Sequence, residues 1–144
     1  IDELRRVVEM NPHHVQAAFF LGLAYLEKGR FEEAMAHIRR AAHLTGNAPF
    51  FAQGIGYVHA SWGQTEEARA VLVALSEMTK KTYVCPVFTA LIHFKLGEND
   101  RGFEWLDKAF EDGDHWLEYI KVYPGFDGVR ADPRYAALLK KLGL

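Results

Sequence analysis

The chain contains one cysteine, Cys85, so it cannot close an internal disulfide. That cysteine usage points to a reducing compartment, and the cytoplasm is the expected location. A charge excess of either sign is also missing. Seventeen basic residues oppose nineteen acidic ones, for a net charge of -2. Neither a nucleic-acid surface nor an anionic-membrane surface is expected from that balance. There is no long apolar run. The longest near-apolar stretch, Val15–Leu26, is interrupted by Gln16 and is too short to span a bilayer. No signal peptide is visible, and the first residue is Ile1 rather than Met. The 49% apolar and 25% charged residues are ordinary for a globular chain and exclude disorder and collagen-like structure.

Motifs that carry chemistry are equally scarce. There is no HExxH and no CxxC pair, and Gly54-Ile55-Gly56 is not a phosphate-binding loop because it lies inside a helical pattern. His59 and His93 stand 34 residues apart, but a zinc ion would need a third and a fourth ligand beside them. Cys85-Pro86 opens a helix, where the dipole can lower a thiol pKa. A catalytic cysteine also needs a base, and His93 lies about 10 Å further along the axis. Glu32-Glu33 and Glu66-Glu67 recur at helix starts, which the dipole favours, and do not converge on a cleft. His13 and His14 read as solvated at a helix start, and His37 and His43 as facing outward. No enzymatic activity, catalytic residue, metal or cofactor is expected.

What the sequence does contain is a repeat. Gly29, Gly63 and Gly97 are spaced 34 residues apart, and in that register Val15–Ala48, Pro49–Thr82 and Tyr83–Trp116 align without a gap. Small residues recur before the glycine (Gly22, Gly56, Ala90) and after it (Ala34, Ala68, Gly102), followed by Ala41, Leu75 and Ala109. A bulky ladder repeats at Ile38, Leu72 and Leu106. In the first unit Ala17, Ala18, Leu21, Gly22, Ala24 and Tyr25 follow helical spacing, and Glu27-Lys28-Gly29-Arg30 stops that helix. Phe31–Leu44 is the second helix, with early acids and late arginines. Each repeat therefore reads as two helices, with small residues where their backbones approach.

Leu21-Gly22-Leu-Ala-Tyr25, Gly29-Arg-Phe31-Glu-Glu-Ala34 and Arg40-Ala41 resemble the tetratricopeptide repeat family. The second unit keeps Ile55-Gly56 and Gly63-Gln-Thr-Glu-Glu-Ala68. The third, 83–116, is degenerate, with Thr89-Ala90, Gly97 and Gly102. The aromatic after the turn is replaced by Thr65 and Asn99. The resemblance implies an all-α, right-handed α-α superhelix. Residues 1–14 then carry the second helix of a preceding repeat, so more repeats or another domain are expected before Ile1. Residues 117–144 form a helical C-terminal cap, with Asp132 as N-cap, Pro133 at the first position and Gly143 as the stop. The string from Trp116 to Leu144 also resembles the tails of bacterial multidomain regulators, in which such repeats follow a DNA-binding, cyclase or kinase domain.

The family resemblance further implies that a protein or peptide partner lies along the first helix of each repeat. The face would be lined by Phe19, Phe20 and Leu23, by Phe50 and Tyr57, and by Val84, Phe88, Leu91, Phe94 and Lys95. Relatives that clamp a carboxylate use Lys, Arg and Asn there. Only Lys95 fits, so that clamp is not carried over. An apolar groove of this size needs a cover: a partner segment, the chain's own C-terminal helix, preceding repeats or a second copy. The expected function is a protein–protein interaction scaffold. A ligand-sensing regulatory domain and a self-association module are the alternatives.

Overall fold

The computed structural model describes residues 1–144. Its regular structure is entirely helical, eight α-helices and two short 3-10 helices. They form two compact units, Ile1–Val84 and Cys85–Leu144.

The first unit holds α1 (Asp2–Met10), α2 (Val15–Glu27), α3 (Phe31–Leu44), α4 (Pro49–Ser61) and α5 (Thr65–Met78). α2 packs along α3 and α4 along α5; α3 joins the two pairs through α4, and α1 lies against α2. This is the pairing of a helical-repeat array. His14 caps α2 by accepting the Ala17 N–H at Nδ1 (3.1 Å), and Pro49 starts α4.

The 34-residue period is visible atom by atom. Gly29 and Gly63 adopt φ of +72° and +79°, and Gly97 of the second unit +78°. After each, an N–H closes back over the turn: Arg30 to the Tyr25 carbonyl, Gln64 to His59 and Glu98 to His93, all at 2.9 Å. This is the hydrogen bonding that ends a helix on a left-handed residue, and glycine meets it without a Cβ penalty.

The small positions also do what their spacing implies. A Cβ on Gly22 would fall 2.5 Å from Ile38 Cγ1 and 3.1 Å from the Ala34 carbonyl oxygen. Ala34, Ala68, Ala41, Leu75, Ala109 and Gly102 are buried. Ile38 and Leu106 of the ladder are fully buried. Leu72 is only half-buried, because α5 buries just Ala68 and Leu75. His37 does not face outward as expected. Its ring stacks on Tyr25 at 5.5 Å, and burial, followed by the charges of Arg40 and Arg5, holds its pKa below the ordinary histidine value.

The second unit holds α6 (Pro86–Lys95), α7 (Asn99–Asp112) and α8 (Pro133–Leu142), with 3-10 helices at His115–Tyr119 and Pro124–Val129. α6 packs along α7 and against the second 3-10 helix. The register starts the third repeat at Tyr83, yet its first helix begins only at Pro86. Cys85 is held extended (φ -60°, ψ 115°), as a residue before proline tends to be, so the helix loses its opening turn.

The connector before α8 is tied by one side chain. Arg130 donates to Asp127 Oδ1 (2.8 Å), to the carbonyls of Ile120 (3.3 Å) and Tyr123 (3.2 Å), and to the Tyr135 hydroxyl (2.6 Å). Asp132 caps α8 by accepting the Arg134 N–H at 2.9 Å, and Gly143 ends it at φ +72°. Arg134 pairs with Asp132 (2.9 Å) and with Asp100 of α7 (2.6 Å), with its guanidinium over the Phe103 ring. Those bonds raise the Arg134 pKa, and the Arg134 bonds hold the Asp132 carboxyl below the usual range.

Candidate functional site

α2 carries Phe19, Phe20 and Leu23. Phe19 and Phe20 are consecutive, so their side chains point about 100° apart around the helix. Phe19 is 2% exposed, whereas Phe20 is 49% exposed and Leu23 half-buried. Phe19 enters a hollow that glycine leaves in α4: a Cβ on Gly54 would lie 2.8 Å from Phe19 Cε2 and 3.0 Å from Ile38 Cγ2. Around the buried ring stand three more accessible ones. Phe50, Phe51 and Phe20 have their centroids 5.0, 5.3 and 5.9 Å from Phe19, within the range of favourable aromatic contact. Tyr57, also expected on this face, is buried.

In the second unit, Phe88 is buried and meets Trp116 edge to face at 5.3 Å; Leu91 is buried. Phe94 is half-buried against the edges of Phe103 (5.1 Å) and Phe126 (6.3 Å), and Lys95 is exposed. Val84 precedes α6 and is buried. The ten residues thus divide: Phe20 and Lys95 open to solvent, Leu23, Phe50 and Phe94 half-open, and Phe19, Tyr57, Val84, Phe88 and Leu91 closed. Charge is sparse on the helices that carry them. α2 contains only Glu27 among Asp, Glu, Lys and Arg, α4 contains none, and α6 only Lys95.

The residues with chemistry are otherwise engaged. His59 Nδ1–H donates to Gln64 Oε1 at 2.7 Å, and His93 Nδ1–H to Glu98 Oε1 at 3.2 Å. The Cys85 thiol donates to Asp114 Oδ2 at 3.0 Å, and that carboxylate also caps the 3-10 helix from His115 by accepting the Trp116 N–H. Burial first, then the Asp114 bond, pushes the Cys85 thiol up to about 12. The helix-start effect is overridden, and the sulfur is a protonated thiol rather than a nucleophile. Glu33 accepts from Arg30 at 2.9 and 2.5 Å, which holds its carboxyl below the usual range. No three His, Cys, Asp or Glu side chains gather as metal ligands.

Sequence reasoning missed the Cys85–Asp114 bond and the Arg130 tie. The first joins residues 29 apart and leaves no local signal. The second is hinted at only by the i, i+3 spacing of Asp127 and Arg130.

Residues 1–49, which span α1, α2 and α3, match the family model of the tetratricopeptide repeat. No curated protein and no solved structure matches the chain.

Proposed function

We propose that this chain, whose residues 1–49 match the tetratricopeptide repeat, a repeat that generally mediates protein–protein interaction or scaffolding, is an interaction module that receives an apolar partner segment. In the first unit the segment lies against Phe20, Leu23 and Phe50. Lys95 and Phe94 are the corresponding accessible residues of the second unit. The observation that carries this reading is Phe20, half-exposed in a helix whose other phenylalanine is fully sequestered. An exposed ring beside further half-open rings is apolar surface that burial by a partner stabilises, at ~25 cal/mol per Å² before entropy costs. The near-absence of charge on α2 and α4 favours a segment that contributes apolar side chains there, since a buried unpaired charge is costly.

The test is affinity capture with the native chain and with Phe20→Ser/Phe50→Ser. The two substituted rings are accessible, so circular dichroism should show the helical content retained. Proteins held by the native chain should be lost from the variant. Equal capture by both, with the fold intact, would remove this face from the function. Tyr57→Ala and Phe88→Ala are poor probes, because both side chains are buried and their loss disturbs the core.

A further inference from the structure

The outward face of α5 carries a charge pattern separate from the face formed by α2 and α4. At 3.6 residues per turn, Glu66, Arg69, Ala70, Val73, Ser76 and Glu77 fall on one side of the helix, and Lys80 extends that side just past its end. The two residues that α5 buries, Ala68 and Leu75, lie on the opposite side. Val73 sits at the centre of the outward face and is 67% exposed.

Around Val73 the charges are antisymmetric. Four residues before it stands Arg69 and four after it Glu77; seven before stands Glu66 and seven after Lys80. A second α5 crossing antiparallel at Val73 therefore sets Arg69 against Glu77 of the second copy and Glu66 against Lys80 of the second copy, and the two-fold axis repeats both pairs. A parallel copy in register would set like against like. Lys80 and Glu77 already pair within one chain at 3.1 Å, so each end closes into a network of four alternating charges, which holds better than isolated surface pairs. Ala70 faces Ser76 of the second copy, and these small side chains let the helices approach. The antiparallel helix dipoles are also aligned favourably.

We infer that α5 is a self-association surface, on which a second copy of this chain docks antiparallel about a two-fold axis through Val73. The occupant is a second copy because a pattern that complements its own reversal is used fully only by an identical helix. A 14-residue helix is only about 21 Å long, so the contact belongs with small, transient interfaces and its extent depends on concentration.

Sedimentation of the full chain at low salt over a range of concentrations tests this. The expected mass rises from 16.4 kDa toward twice that value as the chain is concentrated, and added salt reverses the rise. Val73→Glu, on an exposed site, should leave a folded monomer. Arg69→Glu and Glu77→Arg should each weaken association by about tenfold or more, and inverting all four charges together, Glu66→Lys/Arg69→Glu/Glu77→Arg/Lys80→Glu, should restore it, because the alternation is kept. The inference is overturned if the native chain stays monomeric throughout, if Val73→Glu associates like the native chain, or if the four-charge inversion fails to recover what the single substitutions lose. Phe20→Ser/Phe50→Ser should leave this association unchanged, which separates it from partner binding.

Discussion

Tyr25, His59 and His93 occupy one position of the repeat, and each meets the residue five places on. The Arg30 guanidinium lies over the Tyr25 ring at 4.6 Å, while His59 and His93 hydrogen-bond to Gln64 and Glu98. The left-handed turn that ends each first helix brings positions five apart together, so the same backbone accommodates three different pairings. The periodic spacing of these histidines is thus accounted for by the repeated turn, which gives each Nδ1 a partner five residues on. Cys85 shows the same conversion of an apparently reactive group into a structural one. Its thiol is buried and donates to Asp114, which favours the protonated form. At about pH 8, an aromatic disulfide reagent should leave the folded chain unmodified and should titrate one thiol per chain once denaturant is added. Rapid reaction in the native state would show that the Cys85–Asp114 bond is not maintained in solution.

The behaviour of whole helices follows from a few small residues. Glycine inside α2 costs about 1 kcal/mol relative to alanine in helix propensity, yet Gly22 sits where α3 comes closest. The atoms that an added methyl would meet cannot step aside, since Ile38 is fully buried and the other contact is a backbone carbonyl. Gly22→Ala should therefore destabilise the chain by about 1–3 kcal/mol despite the gain in propensity, seen as a lower urea midpoint with an unchanged m value. A higher midpoint would mean that propensity outweighs the contact. This position was legible from sequence, because Gly22, Gly56 and Ala90 recur at the period and a recurring small residue inside a helix implies a close neighbour. The start of α6 was also legible, because Cys85-Pro86 marks a helix opening in the sequence and the structure starts α6 at Pro86. The alignment ran without gaps from Tyr83, and Pro86 overrode it by keeping Cys85 extended.

In the molecule as a whole, each compact unit contains its own fully buried side chains: Leu21, Ile38 and Val58 in the first, and Ile92, Leu106, Ile120 and Phe126 in the second. Stability in repeat proteins is local to neighbouring elements, so damage to one unit should be read mainly there. Arg130→Ala removes the donors to Ile120, Tyr123 and Tyr135 and should cost about 1.5–3 kcal/mol, the range for hydrogen bonds from a charged group. Hydrogen exchange should then speed up across 115–144 and stay near native across 1–84; equal loss in both would show that the units unfold together. The sequence by itself determined the helical class, the turns at Gly29, Gly63 and Gly97 and the cap of α8, because each depends on residues within a turn or two of one another, and the close-approach positions, because small residues recur there at the repeat period. Only the tertiary structure decided which apolar residues remain available. Phe19 and Phe20 are identical neighbours in the chain, and what separates them is a hollow at Gly54 on another helix. Cys85 likewise became an inert donor only when Asp114 was brought to it. Exposure and pKa are set by atoms close in space, and periodicity along a chain does not report which distant residues supply them.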